Sequence, residues 1–293
     1  MTGARRSVRA LSVAALLLLT GCGVRGPTGV SPSPSPATAP VPAQTPPARL
    51  PAGAAVFAIV MENRSSTQAL AQPYLAALAG RYALATNYHA VAHPSLPNYL
   101  ALTSGSTYGI ADDDYHALAA GGIGQQLTER EIPWRAYMEG LPADCRESSG
   151  RYAVNHDPFA YYGGGCPPNV VGLASLDADL AGDTSRFVWI TPDLCHDGHD
   201  CSARTADDFL AGLVPRILAS PAWMRGGVLF VTWDEDDGST GNQVSTVVVA
   251  PRLLAHRSAR PYDHYSLLAT IEDLLGVPRL GAAARAQAMD DLV

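Results

Sequence analysis

The chain has 293 residues, 47% hydrophobic and 16% charged, with a formal net charge of −7. All 20 of its basic residues are arginine, and they form no basic stripe, which argues against a nucleic-acid backbone as partner. Any phosphate bound here must be met by Arg, His, backbone N–H groups or a metal ion.

The first residues read as an export signal. Arg5, Arg6 and Arg9 precede an apolar stretch over 11–19 that is short for a bilayer span. The stretch ends in Leu19-Thr20-Gly21-Cys22, which resembles the lipobox of bacterial lipoproteins. The resemblance implies acylation of Cys22, with the protein exported and lipid-anchored to the outer face of the bacterial cell membrane. The alternative is an ordinary secretory signal carrying an incidental cysteine. Residues 1–22 are thus assigned to the leader. Residues 23–52 form a Pro/Ser/Thr-rich linker that cannot bury a core, and 53–293 one catalytic domain of a size that can.

Within that domain, apolar runs of strand length fall at 55–61, 82–88, 133–138, 186–191, 227–233 and 245–250. Helical spacing recurs at 67–80, 97–104, 115–130, 205–219 and 264–275. This alternation predicts an α/β fold, a mostly parallel sheet sandwiched by helices, with ligands beyond the carboxyl ends of the strands. The polar stretch 141–185 reads as a long insertion or lid. Four cysteines follow Cys22. An even number in an exported chain suggests disulfides, and local pairing gives Cys145 with Cys166 and Cys195 with Cys201. Zinc would want closer C-x-x-C spacing.

The predicted strand tips carry the chemistry. After 55–61 come Glu62 and Asn63, where Asn63-Arg64-Ser65 also spells a glycosylation acceptor. After 186–191 comes TPDLCHDGHDC, and after 227–233 comes Asp234-Glu235, followed by Asp236 and Asp237, which read as solvated loop acids. In HPSLPNYLALTSG, Ser95 stands where a helix begins. It could simply cap that helix; a hydroxyl there also sits in a field of N–H groups that favours phosphate and alkoxide. His93 reads equally as a support for the site and as a strand-end residue.

Ser95-Leu96-Pro97-Asn98, followed by LTSG and Tyr108-Gly109-Ile110, resembles the nucleophile segment of the alkaline phosphatase superfamily. Together with MENRSS, VNHDP, WDEDDG and YDHYSLL, it is similar to the phosphoesterase family of bacterial acid phosphatases and phospholipases C. The resemblance implies a metal-dependent phosphoric ester hydrolase. Ser95 would be its nucleophile and pass through a phosphoserine, and Asn98 would donate to a phosphoryl oxygen. His156 would lie near the phosphoryl group or the leaving oxygen. Glu62, Asn63, Asp234 and Glu235 would hold one divalent metal ion (Ca²⁺, Mg²⁺, Mn²⁺ or Zn²⁺). Asp193, His196 or His199, and His264 occupy places where two-metal relatives keep a second site; of the two loop histidines, His199 is favoured to face inward. Two-metal relatives have Asp-His where this chain has Asp234-Glu235. The departure favours one cation, with protonated histidines supplying further charge in mild acid. The substrate is then a phosphate ester. A phospholipase C acting on lipid headgroups is the nearest rival, and a non-catalytic ligand-binding envelope lipoprotein the rival from another class. No C-x-P-x-R stretch supports a sulfatase.

Overall fold

Residues 49–251 and 255–293 are described by the computed structural model of the chain. The leader, Cys22 and residues 23–48 lie outside the described residues. The strands are β1 (Val56–Met61), β2 (Ala83–Ala85), β3 (Tyr88–His89), β4 (Trp134–Met138), β5 (Val170–Gly172), β6 (Phe187–Thr191), β7 (Val228–Trp233), β8 (Thr246–Val249), β9 (Arg257–Ser258) and β10 (Tyr262–Asp263). Eight of them form one sheet in the order β5-β4-β6-β1-β7-β8-β2-β9. The run β5 to β7 is parallel, and β8 lies antiparallel to both β7 and β2. Every residue of β1, β6, β7 and β8 is buried, which is why those segments read as continuous apolar runs rather than alternating ones.

The helices are α1 (Ser66–Leu70), α2 (Pro73–Arg81), α3 (Ser95–Ser104), α4 (Gly122–Thr128), α5 (Leu176–Ala181), α6 (Ala203–Leu218), α7 (Pro221–Met224) and α8 (His264–Leu275). α2 and α5 pack against α6, while α3 packs between α4 and α8, so the sheet is covered on both faces. All ten residues of α3 are buried. Its polar Thr103 and Ser104 survive burial by bonding back to the Tyr99 and Leu100 carbonyls, each at 2.8 Å. At Gly105 the chain turns left-handed (φ +71°), and a side chain there would run into the Leu280 carbonyl.

Several boundaries differ from the sequence reading. Segment 67–80 is two helices, because Pro73 has no N–H to continue α1 and instead opens α2. Of 115–130 only α4 is helical, since Gly122 at its start has φ +73°. The stretch 141–185 is more than an insertion. It contributes β5, an edge strand of three residues, and α5. Residues 50 and 51, assigned to the linker, belong to the packed domain: the Leu50 N–H donates to the Leu274 carbonyl at 3.0 Å, and Arg186 donates to the Pro51 carbonyl at 2.7 Å. Both expected disulfides, Cys145–Cys166 and Cys195–Cys201, are present.

Candidate active site

β1 and β7 run side by side with Met61 opposite Trp233, so Glu62 and Asp234 leave the sheet together. The Asp234 N–H donates to the Met61 carbonyl at 2.9 Å, and the Asn63 N–H donates to Asp234 Oδ1 at 3.3 Å. Asn63 takes a left-handed backbone (φ +48°), which asparagine adopts more readily than most residues. β6 flanks β1 on the other side. The loop after it returns Asp197, whose carbonyl accepts from the Glu62 N–H at 3.0 Å. Glu62, Asp197 and Asp234 are fully buried, and Glu235 nearly so.

Ser95 is the first residue of α3, after Pro94, and its hydroxyl makes no cap. Instead Ser95 Oγ donates to Glu62 Oε2 at 3.2 Å and lies 3.4 Å from Glu235 Oε1. Tyr99, one turn further along the helix, donates to Glu62 Oε1 at 2.6 Å and stacks on the His156 ring at 5.3 Å. His156 is buried with Nε2 3.3 Å from Glu62 and Nδ1 3.3 Å from Asp197. Its Nε2 has no aligned hydrogen-bond partner among the described residues, nor have Asn63 Oδ1, Asp197 Oδ2 and Asp234 Oδ2.

This is a strongly acidic interior. Burial pushes Glu62 and Asp234 well above the usual carboxylate range, and each is pushed further by neighbouring carboxylates, Asp234 and Asp197 acting on Glu62 and Glu235 acting on Asp234. Glu235 is pushed up to about 8, first by burial and then by Asp113. Asp197 is raised by burial, against the pull of His156. Two like charges 4 Å apart repel by about 4 kcal/mol at an effective dielectric of 20. Several such pairs would exceed the roughly 5–15 kcal/mol that holds a domain folded. The cluster therefore needs either protons or a cation. Oxygen-rich donors with one imidazole suit a divalent ion, and Asn63 Oδ1 and Asp234 Oδ2 have no hydrogen-bond partner among the described residues.

The structure does not bring every expected residue to the centre. Glu62, His156 and Asp197 place donor atoms within 4.8 Å of one another, so the fully buried group of this kind among the described residues shares only Glu62 with the expected metal ligands. Glu235 lies further out, with His93 Nδ1 at 2.8 Å from its Oε2, so His93 supports the site. Asp236 is buried rather than solvated, because its carboxylate gathers the Gly238, Thr240 and Asn242 N–H groups of the following turn. Asn98 uses its amide mainly to fold the 91–94 loop: its oxygen accepts from Val91 and Ala92, and its nitrogen donates to the Ala92 and Pro94 carbonyls.

His264 is fully buried, donating from Nε2 to the Asp234 carbonyl at 2.6 Å while Nδ1 lies 2.9 Å from the Tyr88 hydroxyl. Burial pushes its pKa down to about 4. It is a neutral ring that fixes the β7 tip.

Neither loop histidine enters the buried cluster. His196 pairs with Glu139 at 2.9 Å and stacks on Phe209. With Asp193 and Glu139 it forms a second, half-buried group able to hold a cation. His199 is half-exposed, 2.7 Å from Asp200 and with its ring 5.8 Å from that of His156. The residue that turns inward is Asp197, which sequence reasoning passed over along with Tyr99. For Asp197 the available signal was its place between two histidines inside a short disulfide loop.

A mostly parallel sheet with acids at its carboxyl edge and a serine at the start of a buried helix is the architecture that the resemblance to the alkaline phosphatase superfamily implies. Solved structures bear this out at the level of fold. A protein of the alkaline phosphatase superfamily from Vibrio parahaemolyticus superposes with a TM-score of 0.56 at 13% identity, covering 79% of this chain and 68% of that one. A lipoteichoic acid synthase from Listeria monocytogenes gives 0.55 at 10% identity, covering 81% and 74%. Residues 54–278 match the Phosphoesterase family, and the chain belongs to it. It is 30% identical over 258 residues to a phosphatidylinositol-3-phosphatase of Mycobacterium tuberculosis, covering 83% of this chain and 84% of that protein. It is 28% identical to an acid phosphatase of Aspergillus niger over 76% of this chain, but spans only 58% of that longer protein. The chain is a phosphoric ester hydrolase.

Proposed function

We propose that the protein is an acid-phosphatase-like hydrolase of phosphate monoesters that uses Ser95 as nucleophile. The observation that carries this reading is the Ser95 hydroxyl, turned away from its helix and towards Glu62 and Glu235. Ser95 Oγ attacks phosphorus, the bond to the leaving alcohol breaks, and the serine proton passes to one of the two carboxylates it faces. Water then cleaves the phosphoserine and releases phosphate. His156 and the half-exposed His199, whose rings lie 5.8 Å apart, are the candidates to protonate the departing oxygen in this reading.

A divalent cation held by Glu62, Asn63 and Asp234, with Glu235 on the nucleophile side, would neutralise the carboxylates and polarise the phosphoryl group when bound. Tyr99 fixes one Glu62 oxygen, so Tyr99→Phe should weaken cation binding by about 10- to 100-fold while the buried ring keeps its packing. Calorimetric titration with Mn²⁺ checks this, and unchanged affinity would mean that other contacts hold Glu62.

The mycobacterial relative favours a second reading, in which the monoester is the headgroup phosphate of a lipid. Acylation at Cys22 would hold the domain beside such a surface, outside the cell membrane; among the described residues no helix is long and apolar enough to cross one. Mass analysis of the N-terminal peptide from the membrane fraction tests the anchor. The activity is tested with a panel of soluble monoesters, phosphatidylinositol 3-phosphate, diesters and phosphatidylcholine. Release of inorganic phosphate from monoesters is expected. Faster release of phosphocholine from phosphatidylcholine would replace this reading with a phospholipase C.

A further inference from the structure

The nucleophile helix opens beside an acidic loop, Asp112-Asp113-Asp114. Asp112 is occupied locally, accepting from the Asp114 N–H at 3.0 Å and pairing with His116 at 2.6 Å. Asp113 behaves differently: its Oδ1 accepts the backbone N–H of Leu96 at 2.9 Å, across seventeen residues of chain. Leu96 directly follows Ser95 at the start of α3. At the first turn of the helix its N–H has no partner within α3, and an oxygen of a phosphoryl group bound at Ser95 would compete with Asp113 for it.

We propose that the Asp113 carboxylate is a displaceable stand-in for a phosphoryl oxygen, and that its charge weakens retention of the phosphate product. This rests on the reading of Ser95 as nucleophile. The side chain is suited to leaving. Asp113 is exposed, and its one hydrogen bond to another element among the described residues is the one to Leu96. The loop itself is held from neighbouring positions, by the Tyr115 hydroxyl on the Ala160 carbonyl at 3.1 Å and by the Asp112–His116 pair, so the carboxylate can swing out without unfolding it. Once displaced it remains close to the site as a fixed negative charge. That charge repels inorganic phosphate in either of its ionised forms, and it repels a phosphate monoester, dianionic near neutral pH because its second pKa is about 6, at least as strongly. The residue thus lowers the affinity of the site for its phosphate product.

The test uses Asp113→Asn and Asp113→Ala. Asparagine can still accept from the Leu96 N–H, so the helix start stays satisfied while the charge is gone. The inhibition constant of inorganic phosphate against p-nitrophenyl phosphate turnover should fall by roughly tenfold in Asp113→Asn, the scale expected for one half-screened like charge near the ligand. Binding of inorganic phosphate, measured calorimetrically, should tighten similarly in Asp113→Asn combined with Ser95→Ala relative to Ser95→Ala alone. That second arm reads the slot without any turnover, so a wrong assignment of the nucleophile would not imitate a wrong assignment of Asp113. Unchanged or weaker phosphate binding in both backgrounds, with thermal unfolding unaltered, overturns the proposal. So does tightening in Asp113→Ala but not in Asp113→Asn, which would assign the effect to bulk rather than charge.

Discussion

Replacing Ser95 by alanine should remove turnover by several orders of magnitude while the protein stays folded and still binds its cation. The structure sharpens this expectation, because Ser95 Oγ makes no cap on α3 and is spent on Glu62 and Glu235. The loss of about 1 kcal/mol that a helix cap would entail should therefore not appear. Acid-quenched turnover should leave phosphate on the Ser95 peptide of the wild type and none on the variant. A folded Ser95→Ala protein with near-normal phosphatase activity would falsify the nucleophile assignment and leave Ser95 as a polar contact of the carboxylates.

Removing the cation should abolish hydrolysis, and Asp234→Asn should lower the bound metal content. The same cluster predicts a pH signature in stability. Glu235 has its folded pKa raised to about 8, and Glu62, Asp197 and Asp234 are raised as well. A carboxyl whose folded pKa lies above its unfolded value binds protons more tightly when folded. The stability it contributes is complete below the unfolded value of about 4.5 and is lost as pH rises through the folded one. Chelated protein should thus show a melting temperature that falls from mild acid towards pH 8. A saturating divalent cation should flatten that slope, and Asp234→Asn should reduce it even in chelator. Thermal melts across pH, with and without chelator, decide the matter. Equal slopes in all three would show that the carboxylates are neutralised by something other than the ion.

Much of the site could be read along the chain because parallel strands write it there. Buried on both faces, β1 and β7 had to be continuous apolar runs, so the abrupt change to Glu62-Asn63 and Asp234-Glu235 marked the sheet edge without coordinates. Ser95 was marked by the strand-to-helix change and by the Pro97-Asn98 that follows it. The residues that escaped notice carry no such local signal. Tyr99 reads as an ordinary core residue of α3, and only packing against β1 and His156 shows its hydroxyl to be Glu62's donor. Asp113 lies in a run of three acids that reads as a solvated loop.

The sequence by itself determined the layered α/β fold, the pairing of cysteines and the edge at which the chemistry gathers. These follow from local hydrophobic period and from short separations along the chain. Only the tertiary structure decided which side chains of the Cys195–Cys201 loop turn inward, that His264 is a buried neutral support, and that the Ser95 hydroxyl faces carboxylates. Each of these depends on strand order: β1 lies between β6 and β7, so residues more than a hundred positions apart meet at one point. Charges brought that close share one low-dielectric interior, and their protonation and pairing are properties of the cluster that no single segment carries.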